Sequence, residues 1–228
     1  VKEMIRVKNL SKEFYSGDES QYVLKGINFD IGNNDFITIM GPSGGGKSTL
    51  LQVLGLLTEP SKGEVYYKNN KVDFKSEKAL NKYRLENIGL IFQNANLISS
   101  LTPLENLIVA MNTKESYKKK SKRAKELLDK VGLSKKYNSK ISSLSGGEAQ
   151  RVAVVRALVN NPNIILCDEP TGALDSNNSK KVIDLLLSIK KERNCTLIIV
   201  THDKKIGALG HRRVYLEDGE IHEVGRNI

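Results

Sequence analysis

Hydrophobic and polar positions fall into short blocks, and the type of block changes along the chain. Residues 5–14 (IRVKNLSKEF) and 22–31 (YVLKGINFDI) flank a polar loop, 15–21, and read as an antiparallel pair. DFITIM, 35–40, is a continuous apolar run, as expected of a strand covered on both faces. KSTLLQVLGLL, 47–57, follows, with Leu50, Val53, Leu54 and Leu57 on one helical face. EVYYKNNKVDF, 64–74, alternates around its asparagines as a hairpin does. NIGLIFQ, 87–93, is another short buried strand. From Asn94 to about Asn160 the period becomes helical, with Pro103 at one helix start and Gly132 at another's end. Buried-strand runs then return at 163–168 (NIILCD) and 196–202 (TLIIVTH), with a helix over 179–194 between them. Strands alternating with helices predict a mostly parallel sheet with right-handed crossovers. RRVYLEDGEIHEV, 212–224, closes as a hairpin on its Asp-Gly turn. The pattern predicts one α/β domain over 1–228, with an antiparallel β subdomain and a helical subdomain, about 94–160, inserted in the core.

Composition narrows this only a little. Hydrophobic residues make up 39% and charged residues 27% of 228, the balance of a soluble globular chain. No apolar run approaches the ~18–20 residues that span a bilayer, and the first residues carry no secretory pattern. Cys167 and Cys195 lie in apolar runs and belong to no paired-cysteine metal motif, so they read as buried thiols. The net charge of +10 suits an anionic partner. Its one dense patch, 117–133, has Leu127, Leu128 and Val131 at helical spacing and reads as a solvated helix face. No stacking aromatic beyond Tyr117 interleaves these lysines, so no nucleic acid is expected.

The chemistry begins at GPSGGGKST, 41–49, which follows a strand and opens a helix. Glycine, four residues, then Gly-Lys-Ser in that context is a cradle for nucleoside triphosphate. Gly41, Pro42, Ser43, Gly44, Gly45 and Gly46 form the turn whose amides point at phosphate oxygens. The helix N-terminus adds partial positive charge. Lys47 supplies an ammonium for the β- and γ-phosphates, and the Ser48 hydroxyl, beside Thr49, is placed for Mg²⁺.

IILCDEP, 164–170, ends a buried strand on two carboxylates. Side chains alternate along a strand, so Asp168 and Glu169 point different ways. Asp168 suits the metal, and Glu169 then faces the γ-phosphate and polarises a water. Gln93 and His202 also end buried strands, at the sheet edge where ligands of open α/β folds bind. Gln93 there touches the metal or the water, and His202 the γ-phosphate.

With SLSGGEAQR, 143–151, added, the chain resembles the ATP-binding-cassette (ABC) ATPases over nearly its whole length. The ordered set is an early aromatic, GPSGGGKST, the glutamine after IGLIF, LSGGEAQR, IILCDEP, GALD and VTH. The resemblance implies that Phe14, or its neighbour Tyr15, stacks on adenine. It implies that Ser145, Gly146 and Gly147 serve the ATP of a second copy in a head-to-tail dimer, and that Asp175 of GALD contacts that copy. ATP and Mg²⁺ are the cofactors implied. Gly45 stands where serine is common, Ala149 where glutamine or lysine is frequent, and Cys167 where alanine or leucine is usual; none removes a catalytic group.

The chain lacks the long coiled coil of repair-type members and the second cassette of ribosome factors. Only 26 residues follow His202, too few for a regulatory domain. CDEPTGALDS, 167–176, the stretch NANLISSLTPLENL, 94–107, and the compact length resemble the subgroup of macrolide-efflux, lipoprotein-release, haem-efflux and antimicrobial-peptide-resistance ATPases with a cell-division relative. That similarity implies an ATPase on the cytoplasmic face of the cell membrane, driving a separately encoded permease contacted through about residues 94–107. A regulatory cassette that controls a membrane or cell-wall complex without transport uses the same residues.

Overall fold

The computed structural model describes residues 3–17 and 19–226. Two sheets and seven α-helices organise the chain among these residues. The first sheet is antiparallel. Strands β1 (Glu3–Ser16) and β2 (Glu19–Gly32) pair along their length, from Ile5 opposite Ile31 to Ser16 opposite Glu19. The expected loop at 15–21 is thus mostly strand. β4 (Lys62–Tyr67) adds to the other edge of β1, and β5 (Asn70–Lys71) folds back on β4 through Lys68 and Asn69, both at positive φ. The hairpin is the one expected, with its turn one residue earlier.

The second sheet has the order β10-β9-β3-β8-β7-β6. β6 (Ile88–Ile91), β7 (Ile164–Asp168), β8 (Thr196–Val200), β3 (Phe36–Met40) and β9 (Arg212–Glu217) run parallel, and β10 (Glu220–Arg226) returns antiparallel through Asp218 and Gly219. β8 is buried at every position. Both faces are covered, which is why these strands read as unbroken apolar runs. On one face α1 (Lys47–Leu54) presses Leu50, Leu51, Val53 and Leu54 into a core shared with both sheets. On the other, α6 (Ser176–Arg193) buries Val182, Ile183, Leu186 and Ile189 against Phe36, Ile165, Cys167 and Ile199. Cys167 and Cys195 are buried and free, and burial pushes both thiols up in pKa.

A third cluster joins α3 (Pro103–Ala110), α4 (Tyr117–Lys130) and α5 (Gly146–Ala157) through Leu104, Leu107, Leu127, Leu128, Val152 and Val155. Here a capping box at Thr102 and Glu105 starts α3, with Pro103 at its first position.

One further expectation fails, and one helix lies where the sequence pattern gives no element. The helix after the cradle stops at Leu54, because Gly55 caps it and Leu56 takes φ +57. Leu57 therefore leaves the buried face and is exposed. Between the hairpin and β6 the chain forms α2 (Glu77–Asn87), which buries no residue fully. Its partly buried Leu80 and Tyr83 are too few for a stripe, so periodicity gives no signal there.

Candidate nucleotide site

β3 delivers the chain to the cradle, and the loop 41–46 turns it into α1. Gly41 has φ +150, and a Cβ there would stand 1.9 Å from the Leu216 carbonyl oxygen, so neighbouring β9 leaves room for glycine alone. Gly46, at φ +92, caps α1 with the Val23 carbonyl 2.7 Å from where its Cβ would be. The first amides of α1 have no intrahelical acceptor and face outward from the turn. Lys47 is buried, and its Nζ donates to the Pro42 carbonyl at 2.6 Å and the Gly41 carbonyl at 3.0 Å. The ammonium is held at the loop by its own backbone. A cavity of about 360 Å³ lies over this turn, lined by Val23, Ser43, Gly44, Gly46, Lys47, Ser48, Thr49 and Glu169.

The end of β7 meets the start of α1. The Ser48 hydroxyl donates to Asp168 Oδ1 at 2.9 Å. Burial raises the pKa of Asp168, and the Ser48 bond and the Lys47 charge oppose that shift. Glu169 leaves the strand at φ +45, a backbone conformation uncommon for a side-chain-bearing residue. Its amide donates to Val200 O at 2.9 Å, and its Oε2 lies 3.0 Å from His202 Nδ1. The turn, more than strand alternation, sends the two carboxylates apart.

Gln93 and Glu169 converge on Gly172. A Cβ at Gly172 would stand 2.8 Å from Gln93 Nε2 and 3.2 Å from Glu169 Oε2. Gln93, Glu169 and His202 therefore gather at one edge of the parallel sheet. A second cavity, about 660 Å³, opens beside them and shares Glu169 with the first.

Ser145 caps α5. Its Oγ accepts from the Glu148 amide at 3.2 Å, while Glu148 Oε2 accepts from the Ser145 amide at 2.8 Å. The amides of Gly146 and Gly147, at the first turn, have no intrahelical partner. None of Ser145, Gly146 and Gly147 lines the cradle cavity of its own chain. Gly147 is pressed against the start of α6, with Asn178 Cγ 2.4 Å from a Cβ placed there. Asp175 caps α6; its pKa is lowered by the backbone amide of Asn178, then by the Asn178 side-chain amide, and less by the amide of Asn177. Phe14 lies near the end of β1, half exposed beneath Lys12 Nζ; Val23, rather than Phe14 or Tyr15, lines the cavity.

Gly172 and Gln150 lie within GALD and SLSGGEAQR, but neither motif assigns them a role of their own. Gln150 is 2% exposed and its Nε2 donates to Phe92 O at 2.8 Å. Its signal was a lone amide on the apolar face of a helix.

For a metal, the oxygen pair Ser48 and Asp168 matches the hard-cation preference of Mg²⁺. Among the described residues no cluster of three His, Cys, Asp or Glu side chains forms a closed metal cage.

Fold and site together define a P-loop ATPase cassette: a glycine cradle, a buried lysine, a hydroxyl–carboxylate pair and a polar sheet edge. The ABC transporter family model matches residues 24–172, and the chain belongs to this family as an ABC ATPase. It is 45% identical to an uncharacterized ABC transporter ATP-binding protein, MJ0796 of Methanocaldococcus jannaschii, over 96% of this chain and 95% of that one. It is also 45% identical to the lipoprotein-releasing system ATP-binding protein LolD of Desulfotalea psychrophila, over 95% of this chain and 97% of that protein. A solved dimeric post-hydrolysis state of the cassette MJ0796, bound to ADP and Pi, superposes with a TM-score of 0.89 at 42% identity, covering 98% of this chain and 100% of that chain. No helix among the described residues is long and apolar enough to cross a membrane.

Proposed function

We propose that the chain is the ATP-hydrolysing subunit of an exporter-type or mechanotransmission-type ABC system, working as a head-to-tail dimer on a separately encoded membrane permease. The observation that carries this is the junction at which Ser48–Asp168 and Glu169–His202 flank one phosphate cradle. The likeness to LolD and to the dimeric MJ0796 cassette supports it.

In this reading the amides of residues 41–49 and the Lys47 ammonium hold the β- and γ-phosphates. Ser48, Asp168 and Gln93 hold Mg²⁺, which when bound neutralises charge on the phosphate oxygens. Glu169 accepts a hydrogen bond from the attacking water and orients it. His202 faces the γ-phosphate and holds Glu169 in place. Ser145, Gly146 and Gly147 of the second copy bring their hydroxyl and unpaired amides to the γ-phosphate, where the negative charge develops. Asp175 contacts the second copy, and Phe14 stacks on adenine. Residues 94–107 meet the permease, which places the subunit on the cytoplasmic face of the membrane.

Glu169→Gln tests the reading. ATP binding should persist and hydrolysis fall by ~10²–10⁴, with an ATP-dependent dimer appearing in size-exclusion chromatography. Undiminished phosphate release overturns the role of Glu169.

A further inference from the structure

Most helices of the chain place negative charge at their positive ends. α2, α3 and α5 carry Glu77, Glu105 and Glu148 in their first turns. α6 and α7 (Lys204–Gly207) are capped by Asp175 and Asp203. α1 does neither, because it opens on Lys47 under the phosphate cradle. α4 does neither as well. It opens Tyr117, Lys118, Lys119, Lys120, with no acidic residue in its first turn. Cations there oppose the helix dipole, so local helix stability does not explain them.

The charge is also concentrated. The 14 residues of α4 hold seven cationic side chains against Glu126 and Asp129, so this element supplies half of the net +10. Both carboxylates lie in its second half. Arg123 is paired with Glu115 at 3.2 Å, but Lys118, Lys119, Lys120 and Lys122 form no ion pair among the described residues. The helix buries only Ala124, Leu127 and Leu128, which leaves Lys118, Lys119 and Lys122 exposed on its outer face. Tyr117, at the same end, is 64% exposed.

We infer that the first half of α4 docks on the headgroups of an anionic bilayer. Unpaired lysines on long stems match a plane of lipid phosphates, and a tyrosine at their edge has the amphipathic ring that sits at headgroup level. α4 packs on α3 in the cluster that also holds Leu97, so the patch shares a body with the segment assigned to the permease. The inference rests on the permease reading for why a bilayer lies near. Among nucleic acids it lacks a row of stacking aromatics.

Vesicle sedimentation of the purified chain, without permease, tests it. The chain should pellet with vesicles of phosphatidylglycerol and phosphatidylcholine, release at high salt, and stay in solution with phosphatidylcholine alone. The triple variant Lys118→Glu, Lys119→Glu, Lys122→Glu should partition at least ~tenfold less, on the basis of the attraction each lysine contributes near an anionic surface. Its melting temperature should hold or rise, since the new charges suit the helix dipole, and its basal ATPase rate should not change. Should that variant fold poorly, the same three changes to Gln report the same loss. Equal binding to neutral vesicles overturns the inference. So does an equal loss from reversing Lys75, Lys78 and Lys82, or displacement of the vesicles by a DNA duplex. None of these results bears on Glu169 or on co-purification with a permease, so the two readings fail separately.

Discussion

Gln150 donates its side-chain amide to the carbonyl of Phe92 at 2.8 Å, joining the helix behind the Ser145 turn to the residue before Gln93. Six residues further along, Arg156 donates to the carbonyls of Ala95 at 2.9 Å and Asn96 at 2.6 Å. The segment that carries Gln93 is thus held along its length by α5. Gln150→Ala removes the amide and leaves the Phe92 carbonyl without its partner. The expected cost is about 1–2 kcal/mol of stability, read in urea denaturation. The expected catalytic effect is a lower kcat with little change in KM for ATP, because the cradle is untouched while Gln93 loses its anchor. A KM change with kcat intact would show that Gln150 does not position Gln93.

Gly172 separates Gln93 from Glu169. Its φ is outside the left-handed region, so the backbone itself accepts alanine. The added methyl meets Gln93 Nε2 at 2.8 Å, and that amide end swings aside at small cost. Gly172→Ala should therefore fold with near-normal stability and bind ATP normally, yet hydrolyse it at least ~tenfold more slowly. Calorimetric ATP titration beside steady-state phosphate release separates the two effects. Full activity would mean that the Gln93–Glu169 spacing is not set by residue 172.

The elements legible in the sequence were those whose burial left a period. β3, β7 and β8 are covered on both faces and appear as unbroken apolar runs, and α6 shows its Val182–Ile189 stripe. α2 left none, because it rests on the core through little more than Leu80 and Tyr83. The site was legible where glycine spacing and strand ends carry chemistry, at Gly41–Ser48 and at Asp168. The left-handed turn of Glu169 was hidden, since nothing in CDEP announces a positive φ. Gln150 and Gly172 were hidden for another reason. Their roles depend on residues 58 and 79 positions away, Phe92 and Gln93, which only the fold brings near.

Glu148 makes the Ser145 turn sensitive to acid. The bond from the Ser145 amide, and then the charges of Lys136 and Arg151, lower its pKa below the ordinary 4.5. A lowered folded-state pKa means stabilisation that is complete above the unfolded value and lost as pH falls through the folded one. Glu148→Gln keeps an acceptor oxygen but does not titrate. The melting temperature of the native chain should exceed that of Glu148→Gln near neutral pH, and the difference should shrink as pH drops below ~4.5. Parallel melting curves at every pH would refute the assignment.

The separation of Ser145, Gly146 and Gly147 from the cradle cavity of their own chain makes a prediction about mixtures. Lys47→Ala removes the ammonium held at Pro42 and Gly41 and should abolish tight ATP binding, measured by titration calorimetry. On the proposed shared site, Ser145→Arg should leave ATP binding by the monomer near normal while hydrolysis collapses, because the new side chain would block the amides offered to the second copy. Each variant alone has no complete site. A mixed dimer has one, formed by the intact cradle of the Ser145→Arg copy and the intact turn of the Lys47→Ala copy. Random pairing of equal amounts makes half of the dimers mixed. With one working site of two, roughly a quarter of native activity should return if the sites act independently under cyclic dimer symmetry. A single-turnover assay at raised protein concentration detects that level above either parent. A mixture no more active than its parents would mean that the turn serves its own chain, and the shared site would have to be abandoned.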